Sequence, residues 1–188
     1  RAADRGARSG IGSAGGGCRG GATPCGVPRR VRFVGRGRKL DEIVGEMREV
    51  ETHLIPRAMM ALQGHVPDFA VLGDDYDTPD GSCIRDYVHI SDICQAHLLA
   101  LRKLLQGENS GTFNLGNGAG FSVKEVLHVA ENVTGKKIPY AIKSRREGDP
   151  PRLVADASLA MRELNWQPHY ADLETIIRHA WAWECRKP

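Results

Sequence analysis

The sequence lacks several features that define particular classes of protein. Its 188 residues contain no run of 18 apolar residues, so a membrane-spanning helix is not predicted and no membrane partner is expected. Five cysteines are scattered without a C-x-x-C pair, which indicates neither a disulfide framework nor a zinc site. Reduced thiols of this kind suit a reducing compartment, and we therefore expect a cytoplasmic protein.

Lysine and acidic residues are almost missing from the first 38 residues. This stretch holds 11 of the 22 glycines, nine arginines and Asp4 as its single acid, so it carries a net charge of +8, while residues 39–188 carry −5. Because such a segment has few side chains to bury, we expect a disordered Gly/Arg-rich tail over residues 1–44 and a folded portion over residues 45–188. The basic character of the chain therefore belongs to the tail and predicts no nucleic-acid partner for the folded part.

A G-x-G-x-x-G string occurs in the tail at Gly10, Gly12 and Gly15. In a dinucleotide-binding fold this string follows a buried strand and begins a helix, whereas here its flanks are charged or rich in glycine. We interpret it as a chance match. An arginine–glycine segment that binds single-stranded nucleic acid is an alternative, although Phe33 is its only aromatic side chain for base stacking.

Apolar periodicity downstream predicts an α/β arrangement of short strands and helices. The predicted helices, which show apolar spacings of three and four residues, lie at 40–47, 54–62, 92–106, 122–135, 158–164 and 173–181. The predicted strands lie at 69–73, 83–90, 112–115 and 138–142, and the first two are expected to form a hairpin-like unit. Ser91 is expected to cap the third helix, and Ser122 with Glu125 has the spacing of a capping box.

Two polar loops carry arginines that could converge on one cleft. Arg85 begins an extended run after a turn, and Arg145 and Arg146 lie in the polar loop at 145–151. A guanidinium group matches phosphate oxygens in geometry and keeps its charge, so two such loops could clamp a pyrophosphate, with Asp149 free to accept from a ribose hydroxyl. Spacing alone leaves open the alternative of surface arginines in salt bridges. The histidines have no third ligand at metal spacing, and no metal site is predicted.

Six strings resemble the carboxy-terminal half of the UDP-glucose 4-epimerase family in both order and spacing. They are ETHLIP (51–56), DYDTPDG (75–81), RDYVHISD (85–92), FNLG (113–116), RREGD (145–149) and ADAS (155–158), and LNW (164–166) continues the match. The resemblance covers about residues 51–188. It implies the substrate-binding portion of an extended short-chain dehydrogenase fold, whose amino-terminal Rossmann domain holds NAD. In that family NAD takes hydride from the sugar C4 and returns it to the opposite face.

The resemblance also implies roles for individual residues. It matches β-strand residues to the uracil contact, two arginines to the phosphates, an acid to the ribose, and an apolar position to the neighbourhood of the sugar. The strand residues are Ala70, Val71 and Leu72, and the two arginines are Arg85 and Arg146. The acid is Asp149, with Glu147 and Gly148 in the same loop, and the apolar position is Leu153. The expected ligands are UDP-glucose and UDP-galactose.

The chain departs from the family pattern in its catalytic residues. The family uses a Tyr and a Lys spaced Y-x-x-x-K, in which the Lys lowers the pKa of the Tyr, but no tyrosine here is followed by a Lys four residues later. The NAD fingerprint and the helices of the family homodimer are likewise not found. We therefore expect a partial chain without catalytic or cofactor-binding residues, inactive alone, whose partner is the missing Rossmann half or an intact homologue.

Two alternatives share the same residues. A related sugar-nucleotide epimerase or dehydratase would use the same phosphate-binding arginines, although the DYDTPDG string favours the galactose enzyme. A non-catalytic nucleotide-sugar-binding module would bind UDP without turnover.

Overall fold

The structure, a computed structural model, describes residues 49–187. The tail predicted at residues 1–44 and the helix predicted at 40–47 lie outside the described residues. The described elements, in chain order, are α1 (Leu54–Leu62), β1 (Ala70–Leu72), β2 (Ile84–Arg85), α2 (Ile90–Leu105), β3 (Phe121–Ser122), α3 (Val123–Thr134), β4 (Ala141–Lys143), β5 (Arg152–Leu153), α4 (Ser158–Glu163) and α5 (Leu173–Glu184). No helix within residues 49–187 has both the length and the apolar character to cross a bilayer.

The strands form two small sheets. In one, β1 and β4 pair in parallel, with Leu72 opposite Lys143. In the other, β2 lies between β3, which is antiparallel to it, and β5, which is parallel and places Leu153 opposite Arg85. The predicted hairpin-like unit is therefore wrong, because β1 and β2 belong to different sheets.

The larger core lies between β1 and three helices, α1, α3 and α5. Met59, Val126 and Ile177, one from each helix, are completely buried there. Burial of each side chain of this size contributes about 1.5–3 kcal/mol to stability, so this cluster stabilises the packing of β1 against the three helices. The apolar periodicity of these three helices predicted their buried faces correctly.

The capping box predicted for α3 is confirmed. The Ser122 hydroxyl accepts from the backbone N–H of Glu125 at 3.0 Å, and the Glu125 carboxylate accepts from the backbone N–H of Ser122 at 2.6 Å. Because Ser122 also pairs with Ile84 in the sheet, the capping box fixes the start of α3 against β2.

The start of α2 differs from the prediction. The helix begins at Ile90, and its N-cap is His89, whose Nδ1 accepts from the backbone N–H of Ser91 at 3.1 Å. Ser91 is thus a donor to the cap and not the cap. The imidazole is held for this role by its contacts with the rings of Tyr170 and His179, at centroid distances of 4.4 and 5.1 Å.

A second, smaller core surrounds the completely buried Trp166. Its indole N–H donates to the backbone carbonyl of Asp92 at 2.9 Å. The segment at 112–115, predicted as a strand, forms no strand, and its Phe113 and Leu115 pack against this second core instead. The prediction failed because alternating side chains make a strand only when a neighbouring backbone is available to pair with it.

Candidate functional site

A cavity of about 410 Å³ opens beside the parallel pair of β1 and β4. All three residues of β1 line it, together with residues of the first turn of α1 and residues in and next to β2 and β4. Its lining residues are Thr52, Leu54, Arg57, Asp68, Phe69, Ala70, Val71, Leu72, Cys83, Arg85, Tyr87, Val123, Lys143, Arg146 and Asp149. Arg85 and Arg146, which are 61 residues apart in the chain, therefore face one shared space.

Arg85 is held in place by groups of the protein itself. Its Nη2 lies 2.5 Å from Oδ1 of Asp149, and its Nη1 donates to the backbone carbonyl of Ile84 at 2.7 Å. Both side chains of the ion pair are largely shielded, at 20% and 26% exposure, so the pair restricts the guanidinium more than a surface contact would. One oxygen of the Asp149 carboxylate is therefore engaged by Arg85, which leaves the other for the predicted contact with a ribose hydroxyl.

Arg145 and Arg146 point to different partners. Nε of Arg145 lies 2.6 Å from Oδ1 of Asp75, and its guanidinium covers the ring of Tyr76 at 4.5 Å from the centroid. The hydrogen bond from Arg145 lowers the pKa of the Asp75 carboxyl. Arg145 is therefore an exposed arginine in a salt bridge, the alternative that its spacing left open, whereas Arg146 lines the cavity.

Gly73 permits the contact between Arg145 and Tyr76. It has a φ of +82°, and a Cβ at this position would lie 2.6 Å from the Tyr76 ring and 2.8 Å from Cγ of Arg145. A larger residue at this position would therefore clash with both the Tyr76 ring and the Arg145 side chain and would disturb their contact.

The loop from 146 to 149 brings two of the predicted residues to the cavity and leaves two outside. The backbone N–H of Asp149 donates to the carbonyl of Arg146 at 3.2 Å, and Gly148 has a φ of +74° within this turn. The turn places Arg146 and Asp149 on the same side, while Glu147 and Gly148 do not line the cavity. Leu153 does not line it either, since it lies on β5 with 44% of its surface exposed.

Two lining residues with ionisable side chains stay in their neutral forms. Burial raises the pKa of the Tyr87 hydroxyl far above its usual value. Burial also raises the pKa of the Cys83 thiol. Neither group is therefore poised to remove a proton at neutral pH.

Sequence reasoning missed several lining residues, of which Arg57 and Lys143 are cationic. Arg57 lies in α1, where its position looked like an ordinary helix surface. Lys143 ends β4, and its signal was available: a basic residue at the carboxyl end of a strand, just before the arginine pair, lies where ligands bind in parallel sheets.

Comparison with known families identifies the relatives of this fold. Residues 37–116 match the NAD dependent epimerase/dehydratase family. This family model describes enzymes that use NAD, and the mixed strands and helices of the described residues agree with the Rossmann-type fold class that the resemblance implied.

The individual relatives are UDP-glucose 4-epimerases. That of Halalkalibacterium halodurans is 49% identical over 145 residues, covering 77% of this chain and 43% of the relative. That of Streptococcus mutans is 47% identical over 162 residues, covering 86% of this chain and 48% of the relative. The chain therefore spans about half the length of the curated relatives it matches.

Solved structures agree with this assignment. A crystal structure of UDP-glucose 4-epimerase superposes with a TM-score of 0.73 at 48% identity, covering 77% of this chain and 44% of that one. The enzyme from Brucella ovis, solved in complex with NAD, gives a TM-score of 0.71 at 47% identity and covers 74% and 43%. The chain is homologous to UDP-glucose 4-epimerases, an isomerase family, and both the resemblance and the predicted fold class are confirmed.

Proposed function

We propose that this chain is the UDP-sugar-binding part of a UDP-glucose 4-epimerase, which interconverts UDP-glucose and UDP-galactose. The observation that carries the proposal is the shared cavity of Arg85 and Arg146. Two guanidinium groups, one on β2 and one on the loop after β4, can hold the two phosphates of a nucleoside diphosphate from two sides. A nucleotide fixed in this way stays in place while the sugar turns over, as an epimerase requires.

The remaining site residues are assigned to the uracil, the ribose and the sugar of the ligand. The β1 residues Ala70, Val71 and Leu72 lie along one wall, where their backbone groups suit the uracil ring. Asp149 would accept from a ribose hydroxyl with the oxygen that Arg85 does not bind. Glu147 and Gly148 act by shaping the turn between Arg146 and Asp149, and the exposed Leu153 is assigned to the sugar end.

NAD does not fit the described residues. The candidate cradle among residues 49–187 is the glycine-containing turn before α3, where Asp86 already accepts from the backbone N–H of Asn117 at 3.1 Å. A Cβ on Gly116 would lie 2.2 Å from the other Asp86 oxygen, so this carboxylate fills the space that a phosphate would need. We propose that NAD is held by a part of the enzyme outside the described residues, which the longer relatives include.

The proposed partner is accordingly the Rossmann half or an intact homologue. Support comes from α2, where four leucines are at least half exposed, namely Leu98, Leu101, Leu104 and Leu105. An apolar helix face of this size is typical of a surface that another part of a fold covers. The proposed compartment is the cytoplasm, because Cys83, Cys94 and Cys185 are free thiols.

A binding module without catalysis is the second candidate. It is favoured by the lack of a Y-x-x-x-K pair within the 188 residues. Both candidates require UDP binding, and they differ only in whether an added partner half restores turnover.

Calorimetric titration of UDP into the purified chain tests the proposal, with Arg146→Ala and Arg145→Ala as matched variants. Arg146→Ala should weaken binding about tenfold or more, because it removes a charge-assisted contact from the cavity. Arg145→Ala should change the affinity less than about twofold, since its guanidinium is bound to Asp75. Equal losses in the two variants, or no UDP binding by the unaltered chain, would contradict the proposal.

Turnover is measured separately with UDP-galactose and NAD. The chain alone should give none, and an added homologous Rossmann half should restore it if the chain serves an epimerase. Turnover by the chain alone would refute the assignment of a partial chain.

A further inference from the structure

The cavity holds more positive charge than the two arginines supply. Four cationic side chains line it, Arg57, Arg85, Lys143 and Arg146, against the two acids Asp68 and Asp149. The family resemblance assigns only Arg85 and Arg146 to the ligand. The role of the additional cations is therefore open.

Two arginines of this region are already paired with carboxylates of the protein. Arg85 is paired with Asp149, and Arg145 is paired with Asp75. Lys143 and Arg146 form no ion pair within 4.0 Å among residues 49–187. These two side chains are the cationic groups at the end of β4 whose charge is still available to a ligand.

The backbone of Lys143 is fixed against the wall of the cavity. It pairs with Leu72 in the parallel register of β1 and β4, and its carbonyl accepts from the backbone N–H of Gly73 at 2.8 Å. The root of the side chain is thus held beside the last residue of β1, while the ammonium group keeps the mobility of a four-carbon stem.

The charge of the ligand matches these two free cations. A nucleoside diphosphate ester carries two negative charges at neutral pH. Arg146 and Lys143 together balance them without opening the pair between Arg85 and Asp149, which leaves Arg85 to contribute its remaining N–H donors. A ligand held by Arg85 and Arg146 alone would have to separate Arg85 from Asp149 to reach the same balance.

We propose that Lys143 is a third cationic contact for the diphosphate of the nucleotide sugar, a specificity-determining residue that favours diphosphate over uncharged nucleoside. The inference rests on the proposed function, because it needs the nucleotide in this cavity. Arg57 is not assigned the same role, since its Nη1 donates to the backbone carbonyl of Glu51 at 3.4 Å, on the α1 side of the cavity.

Calorimetric titrations of UDP and of uridine into the full chain test this role. Lys143→Met removes the charge and keeps the length of the side chain, Lys143→Arg keeps the charge, and Lys103→Met removes a lysine outside the cavity. For a unit charge about 4 Å from a phosphate in a water-like environment, loss of the charge weakens UDP binding about fivefold.

We expect the fivefold loss for Lys143→Met with UDP, no change with uridine, and near-normal UDP affinity for Lys143→Arg and Lys103→Met. The UDP affinity of Lys143→Met should also depend less on salt than that of the unaltered chain. Unchanged UDP affinity of Lys143→Met, or an equal loss with uridine, overturns the assignment of Lys143 while the UDP binding of the unaltered chain still supports the proposed function. No UDP binding by the unaltered chain overturns both.

Discussion

The carboxylate of Asp92 offers a direct test of what holds α2 against the segment that precedes α5. Asp92 is 1% exposed, and its two oxygens accept from the backbone N–H groups of His169 and Tyr170 at 2.9 and 3.0 Å. Hydrogen bonds to a charged group contribute about 1.5–3 kcal/mol each, and their loss would leave two N–H groups without their partner. Asp92→Ala should therefore lower the free energy of unfolding by about 3 kcal/mol or more.

Urea unfolding followed by circular dichroism measures this loss. Asp92→Asn keeps one acceptor oxygen and should fall between Asp92→Ala and the unaltered chain. Asp156→Ala is the matched control, because its exposed carboxylate also accepts a backbone N–H, that of Ser158 at 2.9 Å, and should cost less than about 1 kcal/mol. The reasoning is refuted if Asp92→Ala costs no more than Asp156→Ala.

Two further predictions concern a turn and a helix cap. In the same urea assay, Gly81→Ala should lower the free energy of unfolding by at least about 2 kcal/mol more than Gly107→Ala. Both glycines have a φ near +78°, but a Cβ at Gly81 would lie 2.0 Å from a backbone oxygen, whereas one at Gly107 would meet nothing within 4 Å. Equal losses in the two variants would contradict the reasoning. Burial and the neighbouring His179 lower the pKa of His89, so the unfolded chain binds a proton there more readily, and stability should fall as the pH drops below about 6.5. His89→Asn keeps a side chain that can cap α2 and should flatten this decline in thermal melts, whereas an unchanged slope would exclude His89 as its source.

Features encoded by neighbouring residues could be predicted from the sequence. The capping box of α3 needs only Ser122 and Glu125, and the ends of α1 and α4 follow from short-range apolar patterns. The family resemblance also distinguished between the two adjacent arginines, because it selected Arg146, which lines the cavity, and not Arg145, which does not. Local chemistry could not make that choice, because it depends on Asp75, 70 residues away.

Features that depend on distant partners could not be predicted. Nothing near β1 indicates that it pairs with β4, 71 residues later, and this pairing is what brings Lys143 to the cavity. The cap of α2 is similar: Ser91 has the better intrinsic propensity, but His89 is the residue whose ring is fixed by Tyr170 and His179. In each case a contact made after folding decides between two locally acceptable states.

The exposed face of α2 shows a different limit of pattern reasoning. Periodicity placed Ala96, Leu101 and Leu104 on one apolar stripe, yet only Ala96 is buried, and the two leucines are 51% and 50% exposed. Spacing defines which residues share a face, but the cover on that face comes from another part of the fold. The segment at 112–115 has the apolar pattern of a strand, but the backbone that would pair with it must likewise come from another part of the fold. Both features are what a substrate-binding half should show if the remaining half of an epimerase supplies their cover.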